Sequence, residues 1–240
     1  MAEPERNAVL LDSLRRLVRG LSALFWGLPI ALVVAVQTGK GEWFKPAGLV
    51  PIVLVMVLLF YGVNLLGRFQ KQERIWHNAL ERARLVALIN VGLAPFLYFW
   101  SKMPGNLFFT ITVEVFVLTL LLFLFFLNGV LARLAAMLPD ETLRGETSLF
   151  TRLNQVILLI IIPTLPFYFI LRSTSRLPRL VVEIILLVER GGAVLELMLM
   201  MCFILLPVAM TMALLWKTKE VIMTGVFSSL HNTEPPAGGG

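Results

Sequence analysis

Cysteine and histidine are almost missing from this chain of 240 residues, which has one cysteine, Cys202, and two histidines. A single cysteine excludes a scaffold built on internal disulfides. The same shortage excludes a Cys/His cluster with metal-ligand spacing. Aspartate occurs only twice, so the side chains on which most enzymes rely are scarce. We therefore expect no enzymatic activity, no metal and no cofactor.

Charge is also low, at 15% of the residues, whereas 58% are hydrophobic and the mean hydropathy is +0.84. Soluble domains carry about 25% charged and about 45–50% apolar residues. The apolar residues form continuous runs long enough to cross a hydrocarbon core of about 30 Å, without the alternation of barrel strands. We predict an all-α polytopic membrane protein with six transmembrane helices. The predicted spans are about 20–38, 47–67, 85–101, 106–132, 153–171 and 192–216.

Lysine and arginine fall mainly on one side of these spans, 14 of the 21 against seven. Basic residues are retained on the cytoplasmic side, so we predict that both termini are cytoplasmic. The net charge of +6 then reflects topology and affinity for anionic lipid headgroups, not nucleic-acid binding. The predicted headgroup anchors are Arg15, Arg16, Arg19, Arg68, Arg133 and Lys217.

Three segments lie outside the spans. Residues 1–19 are a cytoplasmic amphipathic stretch, either a helix on the inner leaflet or an extension of the first span. The apolar stretch 178–189 is too short to cross and is expected to be an outer interfacial or re-entrant helix. Residues 217–240 are expected to form a cytoplasmic, largely disordered tail. Trp76 and Trp216, near the inner ends of spans, are expected at the membrane interface.

The odd-numbered spans resemble one another around a proline. Pro29, Pro95 and Pro166 are spaced 66 and 71 residues apart, and each has charged residues about 14 positions upstream. This spacing suggests three tandem hairpins, a kind of parallel repeat that recurs in transporters. The alternative is that apolar segments align with one another by composition alone.

Polar residues within membrane spans are the usual pointers to function. Glu114 and Glu196 are the only carboxylates inside the predicted spans, and both lie near the outer edge. They either pair with outer arginines or form an outward-facing acidic site. Asn90 and Thr164 are further candidates for a binding site or pathway, although asparagines such as Asn90 and Asn128 more often join helices by hydrogen bonds. Prolines expected to kink the helices are Pro29, Pro95, Pro163, Pro166 and Pro207.

These observations predict a non-enzymatic membrane subunit or scaffold that packs with partner helices in a complex. The alternative is a small permease or channel, either a single chain or a homo-oligomer. Its pathway would be framed by the proline-kinked helices and the outward-facing acidic pair. The predicted partners are membrane lipids and other membrane proteins or a second copy of the chain, but no nucleic acid. The favoured location is the plasma (inner) membrane, and an organelle membrane is the alternative.

Overall fold

Six α-helices make up the fold, as described by a computed structural model for residues 3–40, 47–67, 74–137, 141–173, 183 and 192–231. No strand occurs within these ranges, so the prediction of an all-α chain is confirmed. The helices are α1 (Glu3–Lys40), α2 (Val50–Leu66), α3 (Arg74–Lys102), α4 (Leu107–Met137), α5 (Glu141–Ser173) and α6 (Gly192–His231).

Four helical segments are long and apolar enough to cross a membrane. Another apolar helix, α2, has 17 residues, at the lower limit of the range that spans a hydrocarbon core. The chain is therefore consistent with an α-helical membrane protein, and the count of six spans stays a prediction. The four candidate spans are Asp12–Gly39, Trp76–Lys102, Leu107–Met137 and Thr147–Thr164.

Helix α1 runs without interruption through the predicted N-terminal segment and the first predicted span. At 1.5 Å per residue, its 38 residues extend about 57 Å, well beyond a hydrocarbon core of about 30 Å. Leu17 is buried in the bundle while Arg15 and Arg19 are exposed. From Asp12 onward, the apolar side of this helix packs against the protein, and the choice between an inner-leaflet helix and an extension of the first span stays a prediction.

Local signals in the sequence set two of the turns. Gly48 has a φ of 62°, a left-handed conformation that glycine adopts without strain, and Pro51 lies in the first turn of α2. Between α3 and α4, the side-chain Oδ1 of Asn106 accepts a hydrogen bond from the amide of Phe108 at 3.0 Å. This is an N-cap that starts α4 only a few residues after α3 ends at Lys102.

The six helices form a closed ring. Each helix packs against the next along the chain, and α6 also packs against α1. Further contacts join α1 to α3 and α4 to α6. Successive helices therefore lie side by side, as the members of hairpins would, while the predicted internal repeat among them stays a prediction.

Glycines bring α1 and α2 into close contact. A Cβ atom on Gly20 would lie 2.9 Å from the carbonyl oxygen of Gly62, and one on Gly27 would lie 2.7 Å from a methyl group of Leu59. A side chain at Gly20 would meet backbone, whereas one at Gly27 would displace the end of the flexible Leu59 side chain. Small residues of this kind allow helix backbones to approach in membranes, where dispersion contacts replace the hydrophobic effect as the force between helices.

The first turns of α3 contradict one expectation for the aromatic residues. Trp76 is fully buried within the bundle, as are Leu80 and Ala83 on the same helix face, so its ring does not lie at the lipid interface. Helix α3 begins at Arg74, before the apolar part of its sequence, and these early turns pack among neighbouring helices. Trp216 differs, because its side chain is exposed beside Phe25 of α1 with a ring separation of 5.5 Å.

Helix α6 continues further than expected, through Lys217 to His231. Leu215 and Ile222 are both buried, so the helix keeps its packing beyond the apolar part of its sequence. The first part of the predicted disordered tail is thus helical, and residues 232–240 lie outside the described ranges. The predicted interfacial helix at 178–189 also lies outside them, apart from Glu183.

Candidate functional site

The two predicted intramembrane carboxylates lie on α4 and α6. Glu114 is half-buried on α4. Glu196 lies on α6, at a position where only the backbone is described. Pairing between these carboxylates, or with the outer arginines, therefore stays a prediction.

Asn90 and Thr164 do not come together. Asn90 is buried, and its Nδ2 donates to the backbone carbonyl of Thr119 on α4 at 3.4 Å. Thr164 is exposed on α5, and its hydroxyl donates to the carbonyl of Ile160 one turn earlier in the same helix. Asn90 thus joins two helices, whereas the Thr164 hydroxyl forms its hydrogen bond within its own helix, on the surface of the bundle.

A different set of polar residues meets inside the bundle, where α4, α5 and α6 adjoin. The hydroxyl oxygen of Thr211 accepts hydrogen bonds from the Nδ2 atoms of Asn128 at 2.9 Å and Asn154 at 3.0 Å. The hydroxyl in turn donates to the backbone carbonyl of Pro207 at 2.7 Å. All three side chains are buried. We call Asn128, Asn154 and Thr211 the polar junction.

The hydrogen bonds fix the orientation of both amides in the polar junction. Asn128 Nδ2 also faces the carbonyl of Leu124 at 2.7 Å, and Asn154 Nδ2 faces the carbonyl of Pro207 at 3.3 Å. A backbone carbonyl only accepts hydrogen bonds, so turning either amide over would place two acceptors against each other. The Oδ1 atoms of Asn128 and Asn154 therefore point away from these carbonyls, and both are buried without a hydrogen-bond partner among the described residues.

The polar junction lies near the predicted cytoplasmic ends of the spans. Asn154 is two residues after the exposed Arg152, and Asn128 is five residues before the exposed Arg133. These separations correspond to about 3–8 Å along a helix axis. Towards the other side of the membrane, the same three helices bury apolar side chains, namely Leu121, Leu124, Leu158, Ile161 and Val208.

Each proline that was predicted to kink a helix lies within that helix, and the helix continues past it. The structure places Pro29 in α1, Pro95 in α3, Pro163 and Pro166 in α5, and Pro207 in α6. Pro207 has a direct role in the polar junction, because its carbonyl accepts from two side chains. Side-chain donors at such a position help to hold the backbone around a residue that cannot donate its own amide.

The predicted lipid anchors have different surroundings. Arg15, Arg19 and Arg133 are exposed and Lys217 is half-buried. Arg16 pairs with Asp12 one turn away at 2.7 Å. Arg68 lies outside the described residues. Exposed basic side chains at the ends of helices suit contact with anionic headgroups.

Acidic, histidine and cysteine side chains do not form a group of three that could hold a metal ion, within the ranges that the structure describes. The chain matches no family of proteins, and neither curated proteins nor solved structures show a significant similarity to it. The polar junction is therefore interpreted from its geometry alone.

Sequence reasoning found only one member of the polar junction, Asn128, as a residue that joins helices. It missed Asn154 and Thr211. A signal was present, because Thr147, Thr151 and Asn154 recur every three to four residues, which places them on one face of α5. Thr211 and Thr218 are likewise seven residues apart on α6. Such stripes of polar residues within an apolar helix indicate a face that is turned towards other helices.

Proposed function

We propose that this protein is a non-enzymatic membrane subunit or scaffold that binds the transmembrane helices of partner proteins. The observation that carries the proposal is the low burial of α5. In its apolar segment 28% of the residues are buried, compared with 33% in that of α3 and 44% in those of α1 and α4. A helix with so little cover inside its own bundle has a large surface for neighbours in the membrane.

The exposed face of α5 is apolar along most of its length. Large side chains that are exposed on this helix are Leu149, Phe150, Leu153, Val156, Leu159, Ile160 and Phe167. Lipid tails can cover such a face, and so can a partner helix. Helix association in a membrane needs close packing rather than water exclusion, so a partner must fit the shape of this face.

The polar groups inside the bundle suit a fixed structure better than a transport pathway. Asn90 bonds to α4, and the polar junction links three helices through Thr211. Buried apolar residues follow on the outer side of the junction, where a solute would have to pass.

A permease or channel is the alternative function, and its candidate residue is Glu114. We expect Glu114→Gln to leave solute flux unchanged in proteoliposomes, whereas a loss of flux would support the alternative.

The proposed location is the plasma membrane with both termini in the cytoplasm. Exposed arginines support this orientation, since Arg19, Arg133 and Arg152 lie directly beside the predicted inner ends of the first, fourth and fifth spans. Labelling of single cysteines near residues 12 and 223 in intact cells and in inverted vesicles tests the orientation. Reaction of both sites only in the inverted vesicles is the expected result.

Photo-crosslinking in native membranes tests the proposed scaffold function. A photoreactive amino acid replaces Val156 or Ile160 on α5, and in control proteins it replaces Val33 or Val36 on α1. The side chains are matched in exposure, at 53% and 60% on α5 and 57% and 52% on α1. We expect protein adducts of defined mass from the α5 positions and mainly lipid adducts from α1. Lipid adducts alone from all four positions would contradict the proposal, and native mass spectrometry of the purified complex gives the partner stoichiometry.

A further inference from the structure

Half of the buried polar atoms that lack a partner among the described residues lie on three neighbouring helices, α4, α5 and α6. Ten side-chain nitrogen or oxygen atoms among the described residues are buried and lack a hydrogen bond. Five of them lie on α4, α5 and α6, and the other five are distributed over α1, α2 and α3. The five on α4–α6 belong to Asn128, Thr147, Thr151, Asn154 and Thr218.

The threonines in this group differ from the other threonines of the bundle. Thr112 and Thr119 donate their hydroxyl hydrogens to carbonyls of their own helices, at 2.8 and 2.9 Å. This is the usual way in which a hydroxyl is satisfied within a helix. Thr147, Thr151 and Thr218 are more deeply buried, yet their hydroxyls have no such bond. An unsatisfied buried hydroxyl costs about 1–3 kcal/mol, so a native structure normally supplies a partner.

Helix geometry arranges these groups in a column. Thr147 lies seven residues before Asn154 on α5, and Thr218 lies seven residues after Thr211 on α6. In the predicted topology α5 and α6 run in opposite directions, so the bond from Asn154 to Thr211 places Thr147 and Thr218 at a similar level. That level is two turns, or about 10 Å, nearer the cytoplasmic end than the polar junction. Thr151 lies between the two levels.

We propose that this column binds ordered water molecules, which extend from the cytoplasmic ends of α5 and α6 to the free Oδ1 atoms of Asn128 and Asn154. The amide oxygens need hydrogen-bond donors, and the hydroxyls can either donate or accept. Water meets both needs, and internal water characteristically binds buried polar groups that have no other partner. We call Thr147, Thr151, Thr218 and the polar junction together the hydrated column.

The chemistry of the hydrated column favours water over a metal cation. Its side chains are all neutral amides and hydroxyls, so they would not balance the charge of a cation in the interior of the bundle. Thr147 and Thr218 are also too far from the two amides to complete one coordination shell, since shells of this kind have oxygen distances of about 2.3–2.6 Å. Separate water molecules at successive levels satisfy the same groups.

X-ray radiolytic footprinting of the purified full chain tests this proposal, because bound water generates hydroxyl radicals that oxidise adjacent side chains even where bulk solvent has no access. Leu214 lies on α6 between Thr211 and Thr218, and Leu59 lies at the α1–α2 contact; both are 3% exposed. We expect Leu214 to be oxidised several-fold faster than Leu59. Equal rates for Leu214 and Leu59 would overturn the proposal.

Variants test whether the oxidation of Leu214 depends on the hydroxyl groups of the column. Thr151→Val and Thr218→Val keep the shape of the side chain but remove its hydroxyl, and they should lower the oxidation of Leu214. Thr151→Ser restores a hydroxyl and should restore the signal, and Thr119→Val is the control outside the column. Oxidation of Leu214 that is unchanged in both valine variants would contradict the proposal.

Melting temperatures distinguish water from a cation. Measured in sodium, potassium and choline chloride at equal concentration, they should agree if water occupies the column. Stabilisation by sodium or potassium that disappears in Thr151→Val or Asn154→Leu would instead identify a monovalent cation as the occupant and overturn the assignment of water.

Discussion

At the crossing of α1 and α2, Gly20 and Gly62 allow two backbones to touch, whereas at the polar junction two amides and a hydroxyl reach across the space between three helices. The first contact depends on shape, because the nearest neighbours of each glycine are leucine side chains and the opposing backbone. The second depends on hydrogen bonds with defined donors and acceptors. Both lie in the same ring of helices.

The difference shows two ways to join helices where lipid is as apolar as the side chains. Close packing gains dispersion energy only if the backbones can approach, so it tolerates no added atom. A polar contact tolerates a wider gap but loses its donors or acceptors when one partner is removed. Variants at the two sites should therefore respond differently to added volume and to lost polarity.

The largest effect is expected from added volume at the glycine crossing. Gly20→Ala places a methyl group against the backbone of Gly62, and overpacking of this kind costs about 1–3 kcal/mol in the free energy of unfolding. Reversible unfolding in mixed micelles, followed by tryptophan fluorescence, measures the change. Gly92→Ala is the matched control, because no other atom lies within 4 Å of a Cβ at that position. Equal stability of the two variants would show that the crossing is not close-packed.

Loss of the central hydroxyl should have the next largest effect. Thr211→Val keeps the volume of the side chain but removes the group shared by Asn128 and Asn154, so we expect a loss of about 1–2 kcal/mol. A double-mutant cycle with Asn154→Leu should be non-additive, because the two residues share a hydrogen bond. Thr112→Val, on the surface of α4, is the control. Strict additivity in the cycle would mean that the observed bond contributes no coupling.

A smaller loss is expected at Asn90. Its single long bond of 3.4 Å to the Thr119 carbonyl is weaker than the pair of bonds made by each amide of the polar junction. We expect Asn90→Leu to cost about 0.6 kcal/mol, the average for such bonds in membranes. Comparison with Asn154→Leu in the same unfolding assay ranks the two sites. A greater loss at Asn90 would reverse the ranking that the geometry predicts.

The smallest effect is expected outside both contacts, at the ion pair of Asp12 and Arg16. Both side chains are substantially exposed, so solvent screens their attraction. Asp12→Asn should change the free energy of unfolding by less than about 0.5 kcal/mol. Unfolding at low and high salt provides the check, and a large loss confined to low salt would show that the pair contributes more than exposed pairs usually do.

The helical architecture could be read from the sequence because lipid imposes a simple rule on it. Long apolar runs such as 106–132, in which Glu114 is the one charged residue, form helices, since only a helix satisfies its own backbone within lipid. Helix ends were less predictable. Lys217 and Arg19 mark predicted membrane boundaries, but α6 and α1 continue beyond them because helices also pack outside the lipid.

The polar junction was harder to predict because its residues are ordinary in isolation. Asn154 is two residues from Arg152, so it looked like part of a boundary, and Thr211 is a single hydroxyl in an apolar helix. Their significance depends on which helices adjoin, and the sequence does not state that. The prediction for Trp76 was wrong for a related reason. A tryptophan near a membrane boundary can lie among lipid headgroups or in a protein interior, and the neighbouring helices decide which.

Closure of the ring by α6 has a consequence for biosynthesis. Phe25 on α1 faces Trp216 on α6, yet nearly 200 residues of translation separate the two. Until α6 leaves the ribosome and enters the bilayer, the side of α1 that will receive it is available to lipids, insertion factors or chaperones. Of the six described helices, α1 is therefore the one that remains longest without its final neighbour.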